Sequence, residues 1–523
     1  MSRTSQHATV HALIQHLKQV DQSLAAWIDT VQSPDHDPVM AETTLAEWCR
    51  VFTALQTTNA DLVVRRVTPP VSGPPVLLVY LSSLVDENRL ASALPQGSLG
   101  TPEKDSSIAL TGWGAVPVTR ASCWGAVVMG YLAGKVVVFV EGFRGANLVD
   151  LADPPAQAVG RANTEQSIRG PQEGFAEVMA VQLGQLRRRM PSPDLVVEDL
   201  ILGLRIPNHL GLVYLKDLVQ PDLVAEVKRR LTATAIDSPS SATRVGAVLR
   251  DHPWAIFPTV RYSERVDLVA LELEQGKVAV FVNGDPFVLT VPATLADFYR
   301  TSADYSSAWY DASFLRVIRF LGWGFGIFLP AIYIALTEVN PDLISSKLFD
   351  LVAGSHTGLP FTPLVEVVVM ILVIEILREA AIRLPKILAS TIGTVGAIVI
   401  GTAVVKAGFV SAQIIVLMTL TALSLFSVPT YELIASWRVV GWIMLMSAFL
   451  FGVYGLVLAV LWMTVELVSI QSFGTPYLVP WSPFRPKDWQ NTLWRLPWAA
   501  LTRRLTEGRA RHLRWQSAHR PRR

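Results

Sequence analysis

The side chains best placed to do chemistry are charged residues set in apolar sequence. Glu366, Glu375, Arg378, Glu379 and Arg383 lie within or just beyond the run 361–377 (FTPLVEVVVMILVIEIL). Charges at membrane depth are costly unless solvated or paired. Glu375, Glu379 and Arg383 recur at i, i+4 and i+8, so one helical face can carry a Glu–Glu–Arg ladder. Arg378 sits roughly a quarter turn away, and Glu366 falls nearly on the opposite face. A structural ion-pair network would use all five, whereas cation attraction at a pore mouth would use the acids. The pattern favours the network. Lys406, at the end of a later apolar stretch, reads as snorkelling to an interface.

The polar half holds one dense constellation, Thr164-Glu165-Gln-Ser-Ile-Arg169-Gly170-Pro171-Gln-Glu173. It reads as a rigid junction between lobes, with Arg169 satisfied by Glu165 or Glu173. Arg187-Arg188-Arg189 follows and reads as a solvated face or a membrane-surface contact. Catalytic signatures are missing: the sequence has no Gly-rich phosphate loop, HExxH helix or nucleophile elbow. The nine histidines are scattered, and Cys49 and Cys123 make neither a disulfide framework nor a metal-ligand spacing. No enzyme, cofactor or metal is expected, and a reducing compartment suits the polar half. A net charge of +2 gives no bulk attraction to nucleic acid.

The elements that must carry these residues differ along the 523-residue chain, which is 51% hydrophobic and only 17% charged. With a mean hydropathy of +0.37, a disordered or wholly soluble protein is a poor fit. The first thirty residues lack the apolar run and cleavage site of a secretory signal. After Arg319 come five apolar stretches, 318–337, 361–377, 387–408, 409–429 and 439–463. A helix needs about 20 apolar residues to cross a bilayer. The expected organisation is residues 1–155 as a first α/β subdomain with a helical extension, 156–310 as a second, 311–480 as an α-helical multi-span domain and 481–523 as a basic tail. Arg300, Arg316 and Arg319 before the first stretch and eleven Lys or Arg after Pro483 place both flanks in the cytoplasm. That demands an even number of crossings. Either 361–377, short and acidic, is re-entrant or tilted, or another segment is broken in two.

The polar half is internally repeated. Gly134-Lys-Val-Val-Val-Phe-Val-Glu-Gly142 recurs as Gly276-Lys-Val-Ala-Val-Phe-Val-Asn-Gly284, displaced by 142 residues. Each copy reads as a buried strand entering a turn, so two related α/β subdomains are expected. Asp267-Leu-Val-Ala-Leu-Glu-Leu alternates and could pair with the second copy as a hairpin. Leu195–Leu204 has helical or mixed spacing. Asp153-Pro-Pro and Pro191-Ser-Pro mark loops.

Several longer motifs resemble the A subunits of the GerA-type spore germinant receptors. They are IRGPQEGFAEVMAVQLGQLRRRM, the Phe257-Pro258…Ser263-Glu264-Arg265-Val-Asp267 stretch and Gly276-Lys…Asn283-Gly284-Asp-Pro286. Glu375-Ile-Leu-Arg378-Glu379-Ala-Ala-Ile-Arg383-Leu-Pro385 and Ser472-Phe-Gly-Thr-Pro-Tyr477 extend the match, in family order, to about Phe484. The chain departs from the pattern at Gln172, Gln182 and Val266. The resemblance implies a nutrient sensor in the inner membrane of bacterial spores, with a cytosolic two-subdomain α/β region. It implies work with a permease-like B subunit and a lipoprotein C subunit, oligomerisation into a ligand-gated ion-conducting pore, and no catalysed reaction. Germinant binding would lie mainly on the B subunit.

The stretch 387–408 (ILASTIGTVGAIVIGTAVVKAG) fits a pore helix. Gly393, Ala397 and Gly401 form a small-residue row that lets a neighbouring helix approach. The opposite face carries Thr391, Val395, Ile398 and Thr402, two hydroxyls bracketing two branched apolar groups, which suits a gate that closes by dewetting. A secondary transporter and a non-conducting scaffold are the other function classes. The first would need an inverted membrane repeat, which 318–463 does not show.

Overall fold

The computed structural model describes residues 45–512 except 69–73, 94–115, 122–123, 142–144, 153–159, 163, 166, 168, 384–405, 498–499 and 502. The chain forms two compact units. One comprises Met1–Arg250, Val260–Pro292 and Thr502–Arg523, the other Asp251–Thr259 and Ala293–Leu501.

In the first unit, helix α1 (Leu45–Gln56) leads into β1 (Leu62–Val67), β2 (Val76–Leu81), α2 (Glu87–Ala93), β3 (Val118–Ala121), α3 (Trp124–Leu132), β4 (Val136–Val140) and β5 (Ala146–Val149). The strands make one antiparallel sheet in the order β1-β2-β4-β5-β3. Strand side chains alternate between faces. Leu77, Val79, Val137 and Phe139 therefore pack with Trp48, Phe52, Trp124 and Val127 of α1 and α3, while Leu78, Tyr80, Val136 and Val138 form a second core on the opposite face. Trp48 stacks on Phe139 and on Trp124, with ring centroids 4.8 and 5.2 Å apart.

A second lobe repeats the plan. It contains α4 (Met179–Arg189), β6 (Leu195–Leu202), β7 (Asn208–Leu215), α5 (Pro221–Ala233), α6 (Ala242–Leu249), β8 (Arg261–Ser263), α7 (Val266–Glu274), β9 (Val278–Val282) and β10 (Val288–Val291). Its antiparallel sheet runs β6-β7-β9-β10-β8, the same order one repeat later. The two copies of the sequence repeat occupy equivalent strands, β4 and β9, in the middle of each sheet. Their entries match bond for bond. Gly134 N donates to Tyr131 O and Lys135 N to Gly130 O, as Gly276 N does to Leu273 O and Lys277 N to Glu272 O. Both glycines have positive φ, +85° and +86°, closing the preceding helix in the left-handed conformation that glycine adopts without penalty.

Two local expectations are corrected here. Asp267–Leu273 is helix α7, not a hairpin strand: Val266, Val269, Ala270 and Leu273 share a helical spacing and reach the core of β9. Leu195–Leu202 is a strand, paired along its whole length with β7, because its apolar end faces the core and its other end alternates out to water. Val266, the departure from family pattern, is the first residue of α7, a helix position that asks little of the side chain and also tolerates proline.

The second unit begins with α8 (Leu295–Tyr299) and α9 (Ser302–Ser306), each opened by a reciprocal Thr–Asp capping box. It continues through α10 (Trp309–Ile334, extended by a π turn to Val339), α11 (Ser346–His356), α12 (Pro363–Arg383), α13 (Ala412–Phe426) and α14 (Tyr431–Ser469). Among the described residues, Trp309–Val339 and Tyr431–Ser469 are long and apolar enough to cross a membrane. The acidic run 361–377 lies in α12, a helix of 21 residues, and α13 has 15.

Helix α14 is not one rod. Its 39 residues would span about 58 Å if straight. Yet Ser436, near its start, bonds to Ile256 O, and Ser472, just past its end, bonds to Thr259 O. Both ends therefore meet one short segment. The turn is at Gly452, with φ 61° and ψ −139°, where Asn340 Oδ1 accepts Val453 N at 2.9 Å. The arms 431–451 and 453–469 are an antiparallel helical pair. The last apolar stretch, 439–463, thus contains a bend at Gly452.

The expected basic tail is also corrected. Within the second unit, Arg495 is buried and donates to the carbonyls of Asp304, Tyr305 and Ser307. In the first unit, Arg504 Nε donates to Glu274 O and Arg511 N to Leu218 O. Residues from 481 onward are thereby divided between the two units, and 293–310 belongs with the helices rather than with the second lobe. Carbonyls left open at turns and helix ends make these arginines structural.

Candidate functional site

Three charged clusters stand out, the first between the lobes. Arg187 is buried in α4, and its Nε and Nη2 meet Asp61 Oδ2 and Oδ1 at 3.0 and 2.8 Å. Nη1 donates to Leu195 O, and Ser83 Oγ donates to Asp61 Oδ2. Asn59 Oδ1 receives Val197 N and Arg187 Nη2, while Ala60 N donates to Val197 O at 2.8 Å. Gly184 lets α4 come this close, since a Cβ there would overlap Ser83 O. A two-pronged guanidinium–carboxylate pair fixes direction as well as distance. It therefore sets the angle between the lobes.

This is not the junction that the sequence suggested. Arg169 is exposed and has no carboxylate partner among the described residues. Glu165 is engaged by Ser263 Oγ, and its carbonyl by Arg265; Glu173 is engaged by Gln185 and Arg188. Gly170 has φ +96°, and the Pro171 carbonyl accepts from Arg265 Nη2. The motif shapes a loop on the second lobe, organised by Arg265 and by Glu264, which takes Thr164 Oγ1 at 2.7 Å. Arg187, read as one of three solvated arginines, is the cation that joins the lobes.

The second cluster is at the entry to α10. Asp304 receives Arg316 Nε at 3.0 Å and Arg319 Nη2 at 2.7 Å. Burial works against its charge, but Arg319 and Arg316 together hold the carboxyl below its usual range. Arg300 pairs with Asp297 at 3.2 Å and reaches Thr492. The arginines expected to mark a cytoplasmic flank are thus mostly buried in ion pairs.

The third cluster lies among the long helices. Glu375 of α12 meets Arg378 one turn on and Arg438 of α14 at 3.1 Å. Glu379 and Arg383 pair with each other at 2.6 Å and are exposed. Glu366 stands apart from both pairs. It is fully buried, receives Ser411 N at 2.7 Å and faces His356 Nδ1 at 2.9 Å, whose Nε2 meets Tyr333 OH at 3.1 Å. The network of five is therefore two ion-pair groups and a separate Tyr–His–Glu chain. Sequence reasoning passed over Arg438, although an arginine opening an apolar helix signals an acidic partner. Asn59 and Asp61 carried no sequence signal at all. A cleft borders Glu375, Arg378 and Arg438 and is otherwise mostly apolar. Thr391, Gly393, Val395, Ala397, Ile398, Gly401 and Thr402 lie outside the described residues.

The sequence family described as Bacillus/Clostridium GerA spore germination protein matches residues 50–506, from within α1 through both lobes and the long helices. The chain belongs to the GerA family. Among GerA relatives, Spore germination protein B1 of Bacillus subtilis is 34% identical over 72% of this chain and 77% of its own. Spore germination protein KA of the same organism is 31% identical over 82% and 79%. The crystal structure of the N-terminal domain of the A subunit of the Bacillus megaterium germinant receptor GerK3 aligns with 48% of this chain and 96% of that domain. It is 24% identical, with a TM-score of 0.37. GerA membership supports a role in spore germination and an association with membranes. Of the charged clusters above, one sets the lobes, one anchors the first long helix, and one holds α12 against α14.

Proposed function

We propose that this chain is the A subunit of a nutrient germinant receptor in the spore inner membrane and forms a ligand-gated, homo-oligomeric ion channel. The observation that carries the reading is the family match from residue 50 to residue 506, which takes in the α/β lobes and the apolar helices together. A permease-like B subunit and a lipoprotein C subunit are its partners, and nutrient binding falls mainly to the former. The two arms of α14, with 318–337, α12, 387–408 and α13, make six passes, an even number that leaves both flanks on the cytoplasmic side.

The pore helix is 387–408. Val395 and Ile398 form the dewetting constriction between Thr391 and Thr402, while Gly393, Ala397 and Gly401 face the neighbouring helix. Single-channel recording of the purified chain in planar bilayers tests this. Val395→Ser and Ile398→Ala should leak, and spores carrying them should germinate without nutrient. Gly401→Leu should instead reduce assembly. If Val395→Ser and Gly401→Leu both only destabilise the chain, with no rise in conductance, 387–408 does not line a pore.

A further inference from the structure

The Glu375 cluster, unlike the other two, borders an apolar cleft among the long helices, and its charges do not balance. One carboxylate serves two guanidiniums, Arg378 and Arg438, which leaves one net positive charge. Arg438 Nε is buried and donates to no acceptor among the described residues. Such a donor in an apolar surround is costly unless something accepts from it. The rest of the wall is apolar, with Ile374, Leu425, Phe426 and Trp442 prominent.

Depth in the bundle narrows the ligand further. Arg438 lies about two turns inside the start of α14, roughly 10 Å of helix. Phe426, the last residue of α13, also lines the cleft. The end of α13 and the start of α14 thus flank the cleft, so the guanidiniums sit near headgroup level, with apolar wall running inward from them. Gly441 lines the cleft, and a Cβ there would meet nothing within 4 Å.

We propose that this cleft holds an anionic phospholipid, its phosphate against Arg438 and Arg378 and an acyl chain along the apolar wall past Gly441. A basic pocket between membrane helices recognises a lipid headgroup by charge, and a phosphate oxygen can accept from Arg438 Nε while Nη1 stays on Glu375. Occupancy would brace α12 against α14, the two helices that Glu375 already links. The inference rests on the reading of this unit as membrane-embedded.

The test is native mass spectrometry and thermal unfolding of the detergent-purified full chain with added phosphatidylglycerol, phosphatidylcholine or inorganic phosphate. Phosphatidylglycerol should be retained at least fivefold over phosphatidylcholine and should raise the melting temperature, while inorganic phosphate alone should do neither. Arg438→Gln should abolish the preference. Should that variant fail to fold, Gly441→Leu serves: it fills the acyl path, leaves all three charges in place, and should lower retention at least fivefold. Equal retention of the two lipids, an effect of inorganic phosphate equal to that of the lipid, or full retention by Gly441→Leu would overturn the proposal. A chain that is soluble without detergent would instead overturn the membrane reading itself.

Discussion

At the scale of single residues, buried charge decides more than exposed charge. Arg187 and Arg169 come from one short stretch of sequence and should behave oppositely. Arg187→Ala strands Asp61 between the lobes, and breaking a buried pair from one side costs about 3–5 kcal/mol. Denaturant midpoints of the full chain should fall accordingly. Arg169→Ala, at an exposed site without an acid partner, should stay within about 0.5 kcal/mol of wild type. Equal effects of the two would mean that Asp61–Arg187 does not hold the lobes. Asp194 offers a pH test on the second lobe. Burial first, and the neighbouring Asp217 second, push its carboxyl up to about 6 against the pull of Lys216. An acid with a raised folded pKa contributes stability that is complete below its unfolded value, near 4, and is lost as pH rises through about 6. Asp194→Asn should therefore raise the melting temperature at pH 7.5 and leave it unchanged near pH 4. A shift of the same size at both would remove charge as the cause.

Single elements turn on a few backbone positions. Without Gly452, the sequence 431–469 would read as one continuous helix. The bend needs a backbone conformation closed to side-chain-bearing residues, and a Cβ there would overlap Asn340 Oδ1. Gly452→Ala should thus straighten or unfold the helical pair and cut the yield of folded protein sharply. Asn340→Ala only loses the cap on Val453 N and should cost about 1 kcal/mol. A Gly452→Ala chain as stable as Asn340→Ala would show that the turn lies elsewhere.

At the scale of the molecule, the C-terminal residues serve both units. Arg495 closes the carbonyls of α9 in one, and Arg504 and Arg511 dock on the second lobe in the other. Ending the chain after Phe484 should lower the stability of each unit, seen as a broadened, lower melting transition in detergent. A truncated chain that melts with the full one would restore the reading of these residues as a free basic tail.

Composition and period alone determined much of this protein. The change of texture after Arg319, the strand repeat at 134–142 and 276–284, and the family motifs are local patterns, legible because burial of a strand or helix leaves its period in the sequence. The even count of crossings left two readings open, a re-entrant or tilted 361–377 or a broken segment elsewhere, and did not point to Gly452. The tertiary structure alone decided which charges meet. Asp61 and Arg187 are 126 positions apart and Glu375 and Arg438 are 63 apart, and nothing in either neighbourhood marks the partner. Alternation misled at Asp267–Leu273 because a short apolar run satisfies a strand and a helix equally, and only the core that receives it selects between them. Pairing across such distances depends on the fold that brings two backbones together, and no local rule contains that information.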